Sequence, residues 1–110
     1  MAKSDEQVME EFGEAVNMSR KELEEWLETD ESKDVGQKDG GDESKGHESG
    51  RRIVEILEKN ENDIDQDDID HMRRVVSYVH RHQAQRPEKE NIEDSNWRYS
   101  LLNWGHDPLK

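Results

Sequence analysis

Apolar residues return every three or four positions in five separate stretches of this chain, which is the period of helices with one face turned inward. Residues 4–17 open with Ser4 as a cap and Gln7 three positions on, and they place Val8, Met9, Phe12 and Val16 on one face. A second start stands at Ser19. Ser19 and Glu22 have the spacing of a capping box, and Leu23, Trp26 and Leu27 form an i, i+3, i+4 stripe. That stripe predicts a helical hairpin over 4–29, with the second helix packed back on the first. From Thr29 to Gly46 there are glycines at 36, 40, 41 and 46 and a single large apolar residue, Val35, so 30–46 reads as a flexible acidic, Gly-rich loop.

The pattern resumes in 49–60, where Ile53, Val54, Ile56 and Leu57 are expected in the core. The acidic run NENDIDQDDID follows, and Asp65 or Asp67 there can cap a helix over 66–86, their negative charge suiting the positive end of its dipole. Ile69, Met72, Val75, Val76 and Val79 mark its inner face as far as the Arg86-Pro87 stop. Val75, Val76, Tyr78 and Val79 also have strand propensity, but the acidic cap and the sustained period favour a helix. A linker leads to a last helix over 94–104, with Trp97, Leu101 and Trp104 on one face and Gly105 at its end. The expected fold is all-α: one small domain over 1–110, built of four or five helices.

Composition makes the core thin. Of 110 residues 28% are hydrophobic and 41% charged, and mean hydropathy is −1.37. The formal net charge of −13 and the 29 acids read as adaptation to a high-salt, halophilic cytoplasm in preference to disorder, because disorder would not supply periodic apolar faces and three tryptophans. There is no cysteine, which excludes disulfides, thiolate metal sites and cysteine nucleophiles. MAKSDEQVMEEF has no apolar run suited to a signal peptide, and no window approaches the roughly twenty apolar residues of a membrane span, so a soluble cytoplasmic protein is expected.

Against that acidity, the sixteen residues HMRRVVSYVHRHQAQR, from His71 to Arg86, hold four arginines, three histidines and no acid. On a helical wheel Arg74 and Arg81 point to solvent, Arg73 and His80 flank one side, and His71, Tyr78 and His82 flank the other. Arg73, Arg74, Tyr78, Arg81 and His82 therefore form a candidate surface for phosphates, for DNA, or for an acidic protein. The competing expectation is that these arginines pair with carboxylates of the first two helices or with Asp67, Asp68 and Asp70. A second candidate is GHESGRR, which places Ser49, Arg51 and Arg52 at the expected start of the third helix, where free N–H groups and two guanidinium groups suit an anion; the alternative is an ordinary Ser49 cap.

Other chemistry finds no support. A G-x-S-x-G nucleophile elbow would need serine where Glu48 stands, and a calcium loop beginning at Asp63 would meet Asp68 in place of its glycine and Arg74 in place of its final glutamate. His80 and His82 lie about 160° apart on a helix and cannot chelate one ion. No catalytic residue, cofactor or metal is expected. Trp97, Tyr99 and Trp104 beside Arg98 have the makings of a stacking platform, but in so thin a core a structural role is the stronger reading.

The stretches GHESGRRIVEIL, HMRRVVSYVHRHQAQRP and WRYSLLNWGHDPLK, with KELEEWLETDESKDVG, resemble a family of small microbial and fungal proteins, the domain of unknown function number 3140. The resemblance covers almost the whole chain. Some members of that family carry a DNA-binding label, but it supplies no catalytic residue, cofactor or substrate to transfer. Two functions then stand open. One is a non-enzymatic, nucleic-acid-associated protein acting through the basic helix. The other is a helical protein–protein adaptor or oligomeric stress-related protein that offers the same helix to an acidic partner.

Overall fold

The computed structural model describes residues 4–34, 45–87 and 92–110, and among them there are six α-helices and no strand. Helix α1 is Asp5–Ala15, α2 Arg20–Leu27, α3 Asp30–Asp34, α4 Lys45–Glu58, α5 Gln66–Gln83 and α6 Asn96–Asn103. Short 3-10 turns, Glu61–Asp63 and Ile92–Asp94, lead into α5 and α6. No helix of the described residues is long and apolar enough to cross a membrane.

Local capping accounts for most of the starts. The Ser4 hydroxyl accepts from the Gln7 N–H, Ser19 and Glu22 exchange both bonds of a capping box, and Asp65 and Asp68 do the same at the head of α5. At α6 the cap is Ser95, whose hydroxyl accepts from the Arg98 N–H, so this helix starts two residues later than 94–104 implies. Helix α5 ends at Gln83, short of Arg86, as the chain turns toward Pro87.

Two expectations about the first half need correction. The stretch 30–46 is not one loop. Thr29 Oγ1 accepts from the Ser32 N–H and starts α3, whose Ser32 is buried against Asn103, while α4 begins at Lys45, four residues ahead of the expected start at 49. The centre of the expected loop, residues 35–44, lies outside the described residues. Packing accounts for the glycines of this first described turn. Gly46 and Gly50, one helical turn apart, lie against α6 and α2; a Cβ on Gly50 would stand 2.6 Å from Leu27 Cδ2 and 2.7 Å from the Asn103 carbonyl oxygen. Gly46, which reads as a loop former, is a contact point where helices approach closely, as is Gly50.

The hairpin over 4–29 is also replaced. α1 lies along α5 and α2 along α4, with α6 touching α2, α3, α4 and α5. The residues joining α1 to α2 are held apart by the C-terminal segment. His106 Nδ1 donates to the Ala15 carbonyl at 2.7 Å, Met18 N donates to the Gly105 carbonyl at 3.3 Å, and Asn17 exchanges two bonds with the Asp107 backbone at 3.0 and 2.7 Å. Gly105 takes φ of 80° to make that turn, a left-handed conformation open to glycine.

One hydrophobic core results, with Val8, Phe12, Leu23, Ile53, Val75, Val79 and Leu101 at its centre, so the described residues make a single compact globule. Leu57, expected in the core, is 37% exposed near the end of α4. A polar knot fastens α2, α3 and α6: Asn103 Oδ1 accepts from Trp26 Nε1 at 2.8 Å and from the Ser32 hydroxyl, and its amide donates to the Ser32 carbonyl at 3.1 Å. Both polar atoms of that buried amide are bonded, through three contacts, which fixes how α6 sits.

Candidate functional site

The inner face of α5 is occupied by Ile69, Met72, Val75, Val76 and Val79, all buried, which turns Arg74, Ser77 and Arg81 outward. Beside this outer face runs a groove bounded by the first residues of α4 and by α6. One hollow of the groove, about 590 Å³, is lined by Lys45, Gly46, Arg73, Arg74, Ser77, Tyr78, Arg81, Ser100, Asn103 and Trp104. A second, about 750 Å³, shares Lys45, Arg74 and Trp104 with the first and continues to Ser49, Arg51, Arg52 and His71, with Glu48 and Glu55 also in its wall. Both hollows are of the size that holds small molecules or single nucleotides.

The two candidates read from separate parts of the sequence thus lie on one surface. Lys45 is already helical, so Ser49 lies at least one turn inside α4. Ser49 is therefore not a cap. It is inside the helix, 4% exposed, with its hydroxyl hydrogen-bonded to His71 Nε2 at 2.9 Å, tying α4 to α5. Burial, then the Arg52 charge, pushes the His71 pKa down, so this imidazole is neutral at pH 7.

The arginines divide between structure and surface. Arg73 reaches Asp5 of α1 at 3.3 Å, as the intramolecular reading expects, and Arg52 of α4 reaches Asp68 at 2.9 Å. Arg74 and Arg81 form no ion pair among the described residues, and both are exposed. Arg51 is exposed in the second hollow, with an interaction of its own.

Tyr78 and His82 are not the open flank that the helical wheel implies. They are half-buried in a column of near-parallel rings running His71, Trp104, Tyr78, His82, Trp97, with centroid spacings of 6.3, 4.2, 5.2 and 6.1 Å. Arg86 closes it with its guanidinium 5.6 Å from the Trp97 ring centre. The wheel misleads because α6 docks along this side of α5: Trp97 Nε1 donates to the His82 carbonyl at 2.7 Å. Burial holds the His82 pKa down, its buried Nε2 has no hydrogen-bond partner among the described residues, and His82 packs in the ring column without lining either hollow. Tyr78 still lines the groove.

The aromatic tail splits in the same way. Tyr99 packs on Trp26 at 5.3 Å, and Arg98 is held by a two-point bond to Asp107 at 3.2 and 3.1 Å, so only Trp104 of that platform lines the groove. Lys45 and Gly46 are groove residues that sequence reasoning places in a loop. The i, i+4 spacing of Gly46 and Gly50 is the signal that would have placed them on a helix. The other histidines of the core are structural: His47 Nε2 is 2.8 Å from the Leu27 carbonyl, and His106, with its Nδ1–H on Ala15, accepts from Gln83 through Nε2 at 2.9 Å. Among the described residues no three His or carboxylate side chains converge on a metal position.

The model of a protein family described as "Protein of unknown function (DUF3140)" matches residues 11–102, and the chain belongs to that family. No curated protein and no solved structure matches it.

Proposed function

We propose that this member of the DUF3140 family is a non-enzymatic nucleic-acid-binding protein, with the groove beside α5 as its binding surface. The observation that carries the reading is the lining of the first hollow. Lys45, Arg73, Arg74 and Arg81 meet there around Tyr78 and Trp104 with no carboxylate among the described lining residues, in a chain of 29 acids. Random placement of so many acids would put several in such a lining. Two of those cations, Arg74 and Arg81, have no ion pair among the described residues to break before meeting a phosphate.

The net charge of −13 opposes approach of a polyanion only over a short range. At about 0.15 M salt the Debye length is about 8 Å, so carboxylates on the far side of the domain are screened from a ligand in the groove. In a host with molar salt the screening length falls to about 3 Å, and phosphate attraction weakens with it. Groove shape and ring contacts then carry a larger share of the binding.

The test is fluorescence anisotropy of labelled random-sequence oligonucleotides over a salt series. Wild type is expected to bind, and R74A/R81A to bind more weakly with a salt slope shallower by about 1.4–1.8, since each lost phosphate contact removes roughly 0.7–0.9. A folded wild type that binds no nucleic acid at any salt, or a double variant with unchanged affinity and slope, overturns the reading. Retention of an acidic polypeptide by a protein that ignores nucleic acid would assign the groove to a protein partner.

A further inference from the structure

The groove has two ends of different chemistry. At the Tyr78 end the charged groups among the described residues are all cations, which matches a phosphodiester, whose oxygens only accept hydrogen bonds. At the other end the exposed Arg51 stands with the exposed Glu48 and Glu55, while Arg52 is paired with Asp68 and Ser49 with His71. A phosphate gains nothing from Glu48 and Glu55. A nucleobase edge, which carries donors and acceptors together, matches such a mixed wall.

Trp104 belongs to the lining of both ends. Tyr78 covers one of its faces, with ring centres 4.2 Å apart and planes 14° from parallel. His71 is near-parallel to the same ring, with centres 6.3 Å apart and planes 11° from parallel. At that centre-to-centre distance His71 is a looser neighbour of the indole than Tyr78. Trp104 is half-buried, and the accessible part of its side chain lines both hollows, with the exposed Arg74 in the same two linings.

Resting on the nucleic-acid reading, we infer that the groove selects single-stranded nucleic acid over duplex, with one unpaired base against the accessible part of Trp104 and the adjoining phosphates on Arg74 and Arg81. A duplex keeps its base faces stacked on one another and shows a protein only phosphate ridges and base edges, so a half-buried indole at the groove floor meets no base face. A single strand can turn one base inward at little cost. Stacking of one base on an aromatic side chain strengthens binding by about 5- to 150-fold.

The test uses the wild-type protein and three labelled ligands of equal length at one salt concentration: a single-stranded oligonucleotide, the abasic deoxyribose-phosphate strand, and a duplex. The base-bearing single strand is expected to bind about 5- to 150-fold more tightly than the abasic strand, and more tightly than the duplex. Equal affinity for the base-bearing and abasic strands overturns stacking on Trp104. Duplex binding at least as tight as single-strand binding overturns the preference while leaving nucleic-acid binding intact. Failure of all three ligands to bind overturns the nucleic-acid reading itself. W104L should bring the ratio of base-bearing to abasic affinity close to one in protein whose circular dichroism is unchanged, and a ratio equal to wild type in such protein also overturns the assignment. The ligand comparison on wild type stands whether or not that variant folds.

Discussion

Replacing Asp68 by asparagine tests how α4, the acidic turn and α5 are held together. The Asp68 side chain is 1% exposed and accepts from Arg52 Nη2 at 2.9 Å, Lys59 Nζ at 2.6 Å and the Asp65 N–H at 3.2 Å. Burial alone would raise its pKa, but the Lys59 ammonium, the Asp65 N–H and the Arg52 guanidinium outweigh that and hold it at about 2. Against an unfolded value of 3.8, the difference corresponds to about 2–3 kcal/mol at most. Solvent lowers the figure, because the Arg52 and Lys59 side chains are 38% and 35% exposed, and about 1–2 kcal/mol is the reasonable range. The asparagine side chain retains the shape, and with its Oδ1 accepting from Lys59 and the Asp65 N–H its amide NH2 faces the Arg52 guanidinium, so D68N removes the charge and one acceptor, and the charge term is a lower bound on the loss. At roughly 4–8 °C per kcal/mol for a domain of this size, its midpoint should fall by about 5–15 °C at pH 7 in thermal melts followed by circular dichroism. The sign with pH follows from a depressed folded pKa: the contribution is complete above the unfolded pKa and is lost as pH falls through the folded one. The gap between wild type and D68N should therefore be constant from pH 7 to about 5, be cut to roughly half near pH 3, and close near pH 2. A variant that melts within about 2 °C of wild type at pH 7, or a gap unchanged at pH 3, would refute the account.

Gly50→Ala should cost about 1–3 kcal/mol in urea unfolding, because its Cβ would meet Leu27 Cδ2 and the Asn103 carbonyl oxygen at 2.6 and 2.7 Å; Gly13→Ala, exposed in α1 with nothing within 4 Å of the new Cβ, should stabilise by about 0.5–1 kcal/mol. The pair of measurements separates close packing from helix propensity, and equal signs would contradict it. His82 has its folded pKa depressed by burial below 6.5, so its neutral form is favoured in the fold and stability is lost as pH drops below 6.5. Melting points of wild type and H82F at pH 7.5 and 5.5 should show the larger acid-side loss in wild type. Asn103→Leu leaves Trp26 Nε1 and the Ser32 carbonyl without their partner, and a loss of about 2–4 kcal/mol is expected in the same urea assay.

How much of this is readable in the residues varies with the range of the interaction. Caps at Ser4, Ser19 and Asp65 are satisfied within three residues, so the local sequence carries them in full. Inner faces such as Val8 and Phe12, or Met72, Val75 and Val79, follow from period alone. Helix pairing does not, since it depends on the C-terminal segment around His106 separating α1 from α2 across some ninety positions of chain. Gly46 misleads for a related reason. A glycine is a breaker in isolation and a contact surface only when a second helix arrives, and nothing near Gly46 in the sequence announces Asn103. Period puts Tyr78 and His82 on the correct side of α5, but the arrival of α6 on that side turns them from surface into packing.

The two Arg-Arg pairs show the same limit and also why the groove forms. Adjacent residues on a helix point about 100° apart, so one member of a pair can reach a neighbouring element while the other faces outward. In α4 that rotation brings Arg52 to Asp68 and leaves Arg51 exposed at the mixed end of the groove. In α5 it brings Arg73 to Asp5 and leaves Arg74 facing out between the two hollows. One arginine of each pair is thus bonded to a neighbouring element while the other faces the groove. Loss of Arg73 would act on the groove through α1 and its neighbours, as well as through charge, whereas loss of Arg74 removes charge alone. A binding assay that compares R73A with R74A, each alongside its own melting curve, distinguishes the two. R74A should lose affinity with its melting point unchanged, and R73A should lose both; loss of stability in R74A equal to that in R73A would mean the division drawn between them is wrong.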